Sequence, residues 1–116
     1  MPKPGESWVK RREQVAVNKR RRVAVIGSGG QLGSDLVAAL RNHKTFEVIP
    51  LTRAQADCTD AESVRKVVLQ LRPPIVVNCA AFVRVDECED QPQQAFAVNA
   101  LGALHVARAC AEANSI

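Results

Sequence analysis

The stretch that decides the fold is Arg22-Val-Ala-Val-Ile-Gly-Ser-Gly-Gly-Gln-Leu-Gly33. It opens with a short β-branched and apolar run that stops at a glycine, which predicts a buried strand. Residues 31–43 then place apolar side chains on one face at helical spacing, which predicts a helix directly after the glycines. A strand, a glycine-rich turn and a helix in this order are typical of turns that hold a phosphate group.

Three glycines of this turn, Gly27, Gly30 and Gly33, follow the spacing G-x-x-G-x-x-G. We expect Gly27 to allow a sharp exit from the strand and Gly30 to let a pyrophosphate approach the backbone. Gly33 would let the helix pack closely against the sheet, while the helix N-terminus directs N–H groups at the phosphate. The turn therefore predicts a dinucleotide site. A glycine-rich corner without a ligand is the alternative, since the tighter spacing G-x-G-x-x-G is not met.

The rest of the chain alternates strands and helices. We predict, in order, a strand at residues 46–51, a short third strand at 56–58, a helix opened by a capping box of Thr59 and Glu62, a strand at 75–81 and a helix at 92–113. The almost unbroken apolar run at 75–81 is typical of a parallel strand covered on both faces. This order predicts an α/β fold with a Rossmann-like, doubly wound parallel sheet, truncated after the fourth strand and its following helix.

The composition fits one domain preceded by a basic leader. The chain has 116 residues, 47% of them apolar, which excludes disorder throughout, and no apolar run approaches the length of a membrane span. Residues 1–22 carry eight basic and two acidic side chains, whereas the other 94 residues carry eight basic and ten acidic. We predict a poorly ordered leader over residues 1–21 and an incomplete NAD(P)-binding domain over 22–116, with no nucleic-acid or membrane partner.

The cysteines do not have the spacing of a metal site. Cys58, Cys79, Cys88 and Cys110 form no Cys-x-x-Cys pair, and neither histidine stands at ligand spacing from them. Buried cysteines of this kind behave as small apolar side chains. We therefore predict reduced thiols, no metal site and a cytoplasmic location.

The end of the second strand predicts the cofactor. Dinucleotide sites usually carry an acidic residue about 20 residues past the glycines, which binds the ribose 2′-hydroxyl. This chain has Leu51-Thr52-Arg53 there, with no carboxylate to repel a 2′-phosphate. Arg53, helped by Thr52, can pair with that phosphate, so we predict that NADP (NADPH) is favoured over NAD. The alternative is an ordinary exposed arginine after a strand.

Four segments together resemble a known family. They are Gly27-Ser-Gly-Gly-Gln-Leu-Gly33, Leu51-Thr-Arg-Ala-Gln-Ala-Asp-Cys-Thr-Asp60, Pro74-Ile-Val-Val-Asn-Cys-Ala-Ala-Phe-Val-Arg-Val-Asp86 and Ala95-Phe-Ala-Val-Asn-Ala-Leu-Gly102. In this order and spacing, residues 22–113 resemble the N-terminal part of the dTDP-4-dehydrorhamnose reductases, which belong to the extended short-chain dehydrogenase/reductase family. The resemblance implies the NADP-dependent reduction of a nucleotide-linked keto-sugar.

The resemblance also implies roles for single residues at the diphosphate and at the nicotinamide half of the cofactor. The diphosphate turn would consist of Gly27, Gly30, Gln31, Leu32 and Gly33. The small residues Cys79, Ala80 and Ala81 would run beneath the ribose and nicotinamide half.

Further roles implied by the resemblance concern the adenine and the catalytic centre. Asp57 and the backbone of Cys58 would flank the adenine, with the carboxylate accepting from its amino group. Asn99 would hold a water or a backbone group near a catalytic lysine. Asp60 is interpreted as a helix-start residue only.

The chain also departs from the family. Phe82 stands where the family commonly has tyrosine, and the family's Ser/Thr and Tyr-x-x-x-Lys groups would lie beyond Ile116. Because the sequence contains no tyrosine, we expect no catalytic residue of the family mechanism in this chain, apart from a supporting role for Asn99. We also expect self-association or a missing C-terminal part, because the strand at 75–81 would have an unprotected edge.

Two functions are compatible with these expectations. The first is the N-terminal, dinucleotide-binding portion of an NADP-dependent keto-sugar reductase. The alternative is a non-catalytic NADP-binding regulatory module that acts through a protein partner, as the regulatory subunit of methionine adenosyltransferase does in the same extended family.

Overall fold

The computed structural model describes residues 20–82 and 89–116, and within them strands and helices alternate. The strands are β1 (Arg21–Ile26), β2 (Phe46–Leu51) and β3 (Ile75–Asn78). The helices are α1 (Gln31–Arg41), α2 (Ala61–Leu71), α3 (Pro92–Phe96) and α4 (Gly102–Ala113), and a π-helical turn (Ala97–Leu101) joins the last two. Residues 1–19 of the predicted leader lie outside the described residues.

The three strands form one parallel sheet in the order β2-β1-β3. Val23 of the central strand β1 pairs with Val48 of β2 on one side and with Ile75 of β3 on the other. The chain thus adds strands first on one side of β1 and then on the other, which is the strand order of doubly wound folds. The predicted Rossmann-like α/β class is confirmed.

Both faces of the sheet are covered because the side chains of β1 alternate. Val23 and Val25 pack against Val37 of α1 on one face. Ala24 and Ile26 belong to a second cluster on the opposite face, formed with α2 and α4. Burial on both sides explains why the strand reads as an apolar run without alternation.

The segment that connects β2 to α2 is a loop, so the predicted third strand at residues 56–58 is wrong. Ala56 and Cys58 are nevertheless only 3% and 6% exposed, because the loop tucks both side chains into the cluster beneath α2 and α4. Their apolar character therefore reflects packing in the core rather than pairing in the sheet.

Helix α2 begins one residue later than a Thr59–Glu62 capping box requires. Its N-cap is Asp60, whose Oδ1 accepts hydrogen bonds from the backbone N–H groups of Glu62 (3.1 Å) and Ser63 (3.4 Å). The N–H and hydroxyl of Thr59 donate instead to Asp57 Oδ1. The predicted capping box is wrong, whereas the helix-start role of Asp60 is confirmed.

Strand β3 ends at Asn78, three residues before its predicted end. The Asn78 side-chain oxygen accepts from the Ala80 N–H at 3.0 Å, which turns the chain away from the sheet. On the edge away from β1, the Ile116 N–H donates to the Pro74 carbonyl (2.9 Å) and its carbonyl accepts from the Val76 N–H (2.8 Å). The chain after α4 therefore pairs with part of this edge.

Within residues 20–82 and 89–116, none of the helices combines the length and apolar character needed to cross a membrane. No three His, Cys, Asp or Glu side chains in the same ranges are grouped so that they could hold a metal ion. Cys58, Cys79 and Cys110 are free thiols, and Cys88 lies outside the described residues.

Candidate dinucleotide-binding site

The turn after β1 requires glycine at its first position. Gly27 has a φ of +76°, in the left-handed region, and a Cβ there would lie 2.6 Å from the backbone nitrogen of Ala80. The N–H groups of Gly27 and Ser28 both donate to the Leu51 carbonyl at 3.1 Å. The turn is thus fixed between the end of β2 and the chain leaving β3.

Gly33, in the first turn of α1, is also required by packing. A Cβ at this position would overlap the backbone carbonyl of Gly27 and approach Ser28 Cα. The helix therefore lies directly against the glycine turn, so the close approach predicted at Gly33 is to the turn rather than to the sheet.

Gly30 differs from these two glycines because the fold itself does not require it. It is the N-cap of α1, with φ −80° and ψ 173°, and its Cβ would have only the Gly27 carbonyl oxygen within 4 Å, at 3.6 Å. No side chain caps this helix end. Open space at an uncapped helix N-terminus fits phosphate oxygens that approach the backbone closely.

An open cavity of about 220 Å³ lies where the three parallel strands end. Eight of the predicted site residues line it: Gly27, Gly30, Arg53, Asp57, Cys58, Cys79, Ala80 and Ala81. The carboxyl ends of parallel strands meet at one edge of the sheet, which is where ligands bind in open α/β folds.

Four predicted site residues do not line the cavity. The side chains of Gln31 and Leu32 lie in the first turn of α1 and face solvent, and Leu32 is 68% exposed. Gly33 is buried beneath the turn. Asn99, in the π-helical turn, instead accepts from the Phe82 N–H at 2.8 Å and donates to the Phe82 carbonyl at 3.0 Å. We predicted that Asn99 holds either a water or a backbone group, and in the structure it holds the backbone of Phe82.

Phe82, which stands where the family commonly has a tyrosine at the edge of the pocket, also lines the cavity. The sequence patterns did not assign four further lining residues: Ala56, Thr59, Gln94 and Val98. Thr59 directly follows an assigned residue, so its neighbourhood could have indicated it. Gln94 of α3 and Val98 of the π-helical turn that continues it are four residues apart, a spacing that puts them on one side of the helical run. Tertiary packing decides whether this side of the helical run faces the cavity, and no local sequence pattern indicates it.

Arg53 lies just after the end of β2, and its side chain is exposed and only weakly paired. Its side chain is 77% exposed, and its Nε lies 3.9 Å from Asp57 Oδ2. An exposed ion pair of this length contributes little to stability. The guanidinium is therefore available to an anion that enters the cavity.

Asp57 is an ionised acceptor in the cavity wall. Its Oδ1 accepts from the Thr59 N–H at 3.0 Å and from the Thr59 hydroxyl at 2.7 Å. The side-chain bond and then the backbone bond from Thr59 hold the pKa of the Asp57 carboxyl below its ordinary value, with a smaller contribution from Arg53. Thr59 thus orients the carboxylate and leaves Oδ2 as a further acceptor.

Cys58 is fixed from the side of α4. Its carbonyl oxygen lies 2.8 Å from His105 Nδ1, and a Cβ on Gly102 would lie 2.9 Å from its Sγ. Burial raises the pKa of the Cys58 thiol, and the charge of Asp57 raises it further. The protonated thiol packs in the core. The backbone carbonyl of Cys58, a residue that we predicted to contact the adenine through its backbone, lies within hydrogen-bonding distance of His105.

A parallel sheet that reverses its strand order at β1, a glycine turn that leads into α1 and a cavity at the carboxyl ends of the strands define a protein of the Rossmann-like class. Residues 21–116 match the family model described as the RmlD substrate binding domain, and the chain belongs to this family. The resemblance to dTDP-4-dehydrorhamnose reductases is confirmed: the chain is 42% identical over 92 residues to that enzyme of Mycolicibacterium smegmatis, a match covering 78% of this chain and 27% of the relative.

Solved structures of similar proteins share this fold. The dTDP-4-dehydrorhamnose reductase of Bacillus anthracis in complex with NADP superposes with a TM-score of 0.78 at 33% identity, covering 84% of this chain and 34% of that one. The UDP-glucose 4-epimerase of Thermus thermophilus in complex with NAD gives 0.74 at 29% identity, covering 80% and 34%. The chain thus spans about a third or less of the length of these relatives.

Proposed function

We propose that this chain is the dinucleotide-binding portion of an NADP-dependent reductase of a nucleotide-linked keto-sugar. The observation that carries the proposal is Gly30, a glycine that the fold does not need, placed at an uncapped helix end beside a cavity. The named activity of the mycobacterial relative supports the substrate class, and the NADP complex of the Bacillus relative supports the cofactor.

The residues that would hold the cofactor follow from the cavity walls. The diphosphate would lie against Gly30 and the first N–H groups of α1. Arg53 would pair with the 2′-phosphate, and Asp57 would accept from the adenine amino group. Ala80 and Ala81, which have small side chains, would leave room for the nicotinamide half.

When bound, the cofactor supplies a hydride to the substrate carbonyl, while the residues of this chain bind and orient it. The sequence contains no tyrosine, so the general acid of the family mechanism is not among these 116 residues. We therefore expect no reductase activity from the purified chain. NADPH oxidation that depends on a keto-sugar and survives removal of contaminating enzymes would contradict this part. We further place the protein in the cytoplasm, where the free thiols of Cys58, Cys79 and Cys110 stay reduced.

An NMR titration of the ¹⁵N-labelled chain with NADPH tests the proposal residue by residue. We expect chemical-shift changes at the amides of Gly30, Asp57 and Ala80, which lie on three different walls of the cavity. Arg65 and Glu112, which form an ion pair between α2 and α4 outside the cavity, serve as internal controls. A spectrum that does not change, or that changes equally at the controls, would contradict NADPH binding at this site.

A further inference from the structure

The loop after β2 holds two hydrogen bonds that converge on one oxygen. The backbone N–H and the hydroxyl of Thr52 both donate to Gln55 Oε1, at 2.9 Å and 3.1 Å. Both residues are exposed, and Arg53 lies between them in the chain, directly after Thr52. An exposed glutamine side chain has no need to fold back in this way, because water could satisfy the same groups.

A backbone N–H and a hydroxyl that point at one position are donors of the kind that proteins use for phosphate oxygens. We infer that Gln55 is a specificity-determining residue, whose side-chain oxygen occupies the donors of Thr52 until the 2′-phosphate of NADP displaces it. The inference rests on the proposed function and deepens it, because it names what decides between the two nicotinamide dinucleotides beside Arg53.

The exchange favours a charged ligand. The amide oxygen of Gln55 is neutral, whereas hydrogen bonds to a phosphate are charge-assisted and about twice as strong as neutral ones. A 2′-hydroxyl, which NAD carries instead, has no charge with which to displace the glutamine. Gln55 therefore yields to NADP and keeps its place when NAD is bound.

The loop can release the glutamine side chain without losing its own shape. The backbone N–H groups of Gln55 and Ala56 both donate to the Thr52 carbonyl, at 3.0 Å and 2.9 Å. These bonds do not involve the side chain of Gln55. Substitutions at this position are consequently expected to leave the turn folded.

The test is Gln55→Glu, with the dissociation constants of NADPH and NADH measured by calorimetry on the full chain. A carboxylate would bind the donors of Thr52 more strongly than the amide does and would repel the phosphate. We expect the preference for NADPH to fall by about tenfold or more, with NADH affinity changed by less than about threefold. Adenosine 2′,5′-bisphosphate and 5′-AMP, which differ only in the 2′-phosphate, should show the same loss of preference. Gln70→Glu, an equal charge change on α2 outside the cavity, should leave the preference unchanged.

A second variant, Gln55→Ala, separates displacement from direct contact. Removing the competing oxygen should keep or raise the preference for NADPH. If Gln55→Ala lowers the preference as much as Gln55→Glu, the glutamine itself binds the phosphate and the inference is overturned. A preference that Gln55→Glu leaves unchanged, in a chain that binds NADPH, overturns the inference but not the proposed function. A wild-type chain that binds neither cofactor overturns the proposed function, and the inference with it.

Discussion

Asn99 holds the backbone of Phe82 by two hydrogen bonds, accepting from its N–H at 2.8 Å and donating to its carbonyl at 3.0 Å. The amide of one side chain thus pairs with both polar groups of a residue 17 positions away. This pairing ties the π-helical turn to the chain that leaves β3. Because Ala80, Ala81 and Phe82 line the cavity, the position of that wall depends on Asn99.

Asn99→Ala should weaken both the fold and cofactor binding. Both hydrogen bonds are lost, and at an exposed site each contributes about 0.5–1.5 kcal/mol to stability. We expect the free energy of unfolding to fall by about 1–2 kcal/mol and NADPH affinity to fall severalfold. Urea unfolding and calorimetric titration measure the two effects. Asn42→Ala, at the exposed end of α1, is the control, and unchanged NADPH affinity in Asn99→Ala would exclude a positioning role.

Alanine substitutions in the glycine turn should separate folding from binding. Gly27→Ala and Gly33→Ala place a Cβ against backbone atoms, so we expect loss of cooperative unfolding or large destabilisation. Gly30→Ala has room for its Cβ and should fold, but should lose most of its NADPH affinity because the methyl group stands in the path of the phosphate. Gly29→Ala, which meets nothing within 4 Å, is the matched control for folding. Unimpaired NADPH binding by a folded Gly30→Ala would place the diphosphate elsewhere.

Thr59→Val should change how the stability depends on pH. The folded-state pKa of Asp57 lies below its ordinary value of 3.8, chiefly through the Thr59 hydroxyl. The bonds to the carboxylate therefore stabilise the fold above about pH 4 and are lost as the pH falls through the lowered pKa. We expect Thr59→Val to be less stable by about 1 kcal/mol at pH 7, with the difference from the wild type in urea unfolding shrinking as the pH falls through the lowered pKa of Asp57. A difference that stays constant as the pH falls until the wild type itself unfolds in acid would contradict this.

We also propose that the chain self-associates. Within the described residues, Ile116 hydrogen-bonds to Pro74, just before β3, and to Val76 of β3. Several large apolar side chains are exposed: Phe96 is 61%, Leu104 41% and Leu101 40%. A partly open strand edge and exposed apolar surface both favour pairing with another chain. Size-exclusion chromatography with light scattering should give a mass above 12.6 kDa at roughly 50 µM chain. A stable monomer of that mass, unfolding cooperatively, would contradict self-association.

The parts of the fold that could be predicted are those that residues close together in the sequence determine. The strand, glycine turn and helix from β1 to α1 follow from apolar spacing and from glycines at places where a Cβ would collide. The capping box failed because Thr59 and Asp60 are adjacent and both can cap a helix. Only the contact of Thr59 with Asp57 decides between them, and that contact depends on how the loop folds.

The parts that could not be predicted depend on tertiary packing. Ala56 and Cys58 carry an apolar pattern that a buried loop and a short strand share, since burial rather than pairing selects the residue types. Ala80 and Ala81 are apolar yet leave the sheet, and Ala80 passes Gly27 at a distance that only glycine allows. Likewise, no sequence pattern shows that Gln94 of α3 and Val98 of the π-helical turn face the cavity.

The central claim is that the cavity binds NADP and that Arg53 selects it. Calorimetric titration of NADPH and NADH into the wild-type chain and into Arg53→Ala tests this most directly. The Arg53 side chain is 77% exposed, and its ion pair with Asp57 is long, at 3.9 Å. Because such a pair contributes little to stability, the variant should fold as the wild type does. We expect the wild type to bind NADPH more tightly, by about one to two orders of magnitude, and Arg53→Ala to lose most of that difference, corresponding to about 1.5–3 kcal/mol. Equal affinities for the two cofactors in the wild type, or an unchanged preference in Arg53→Ala, would contradict the account.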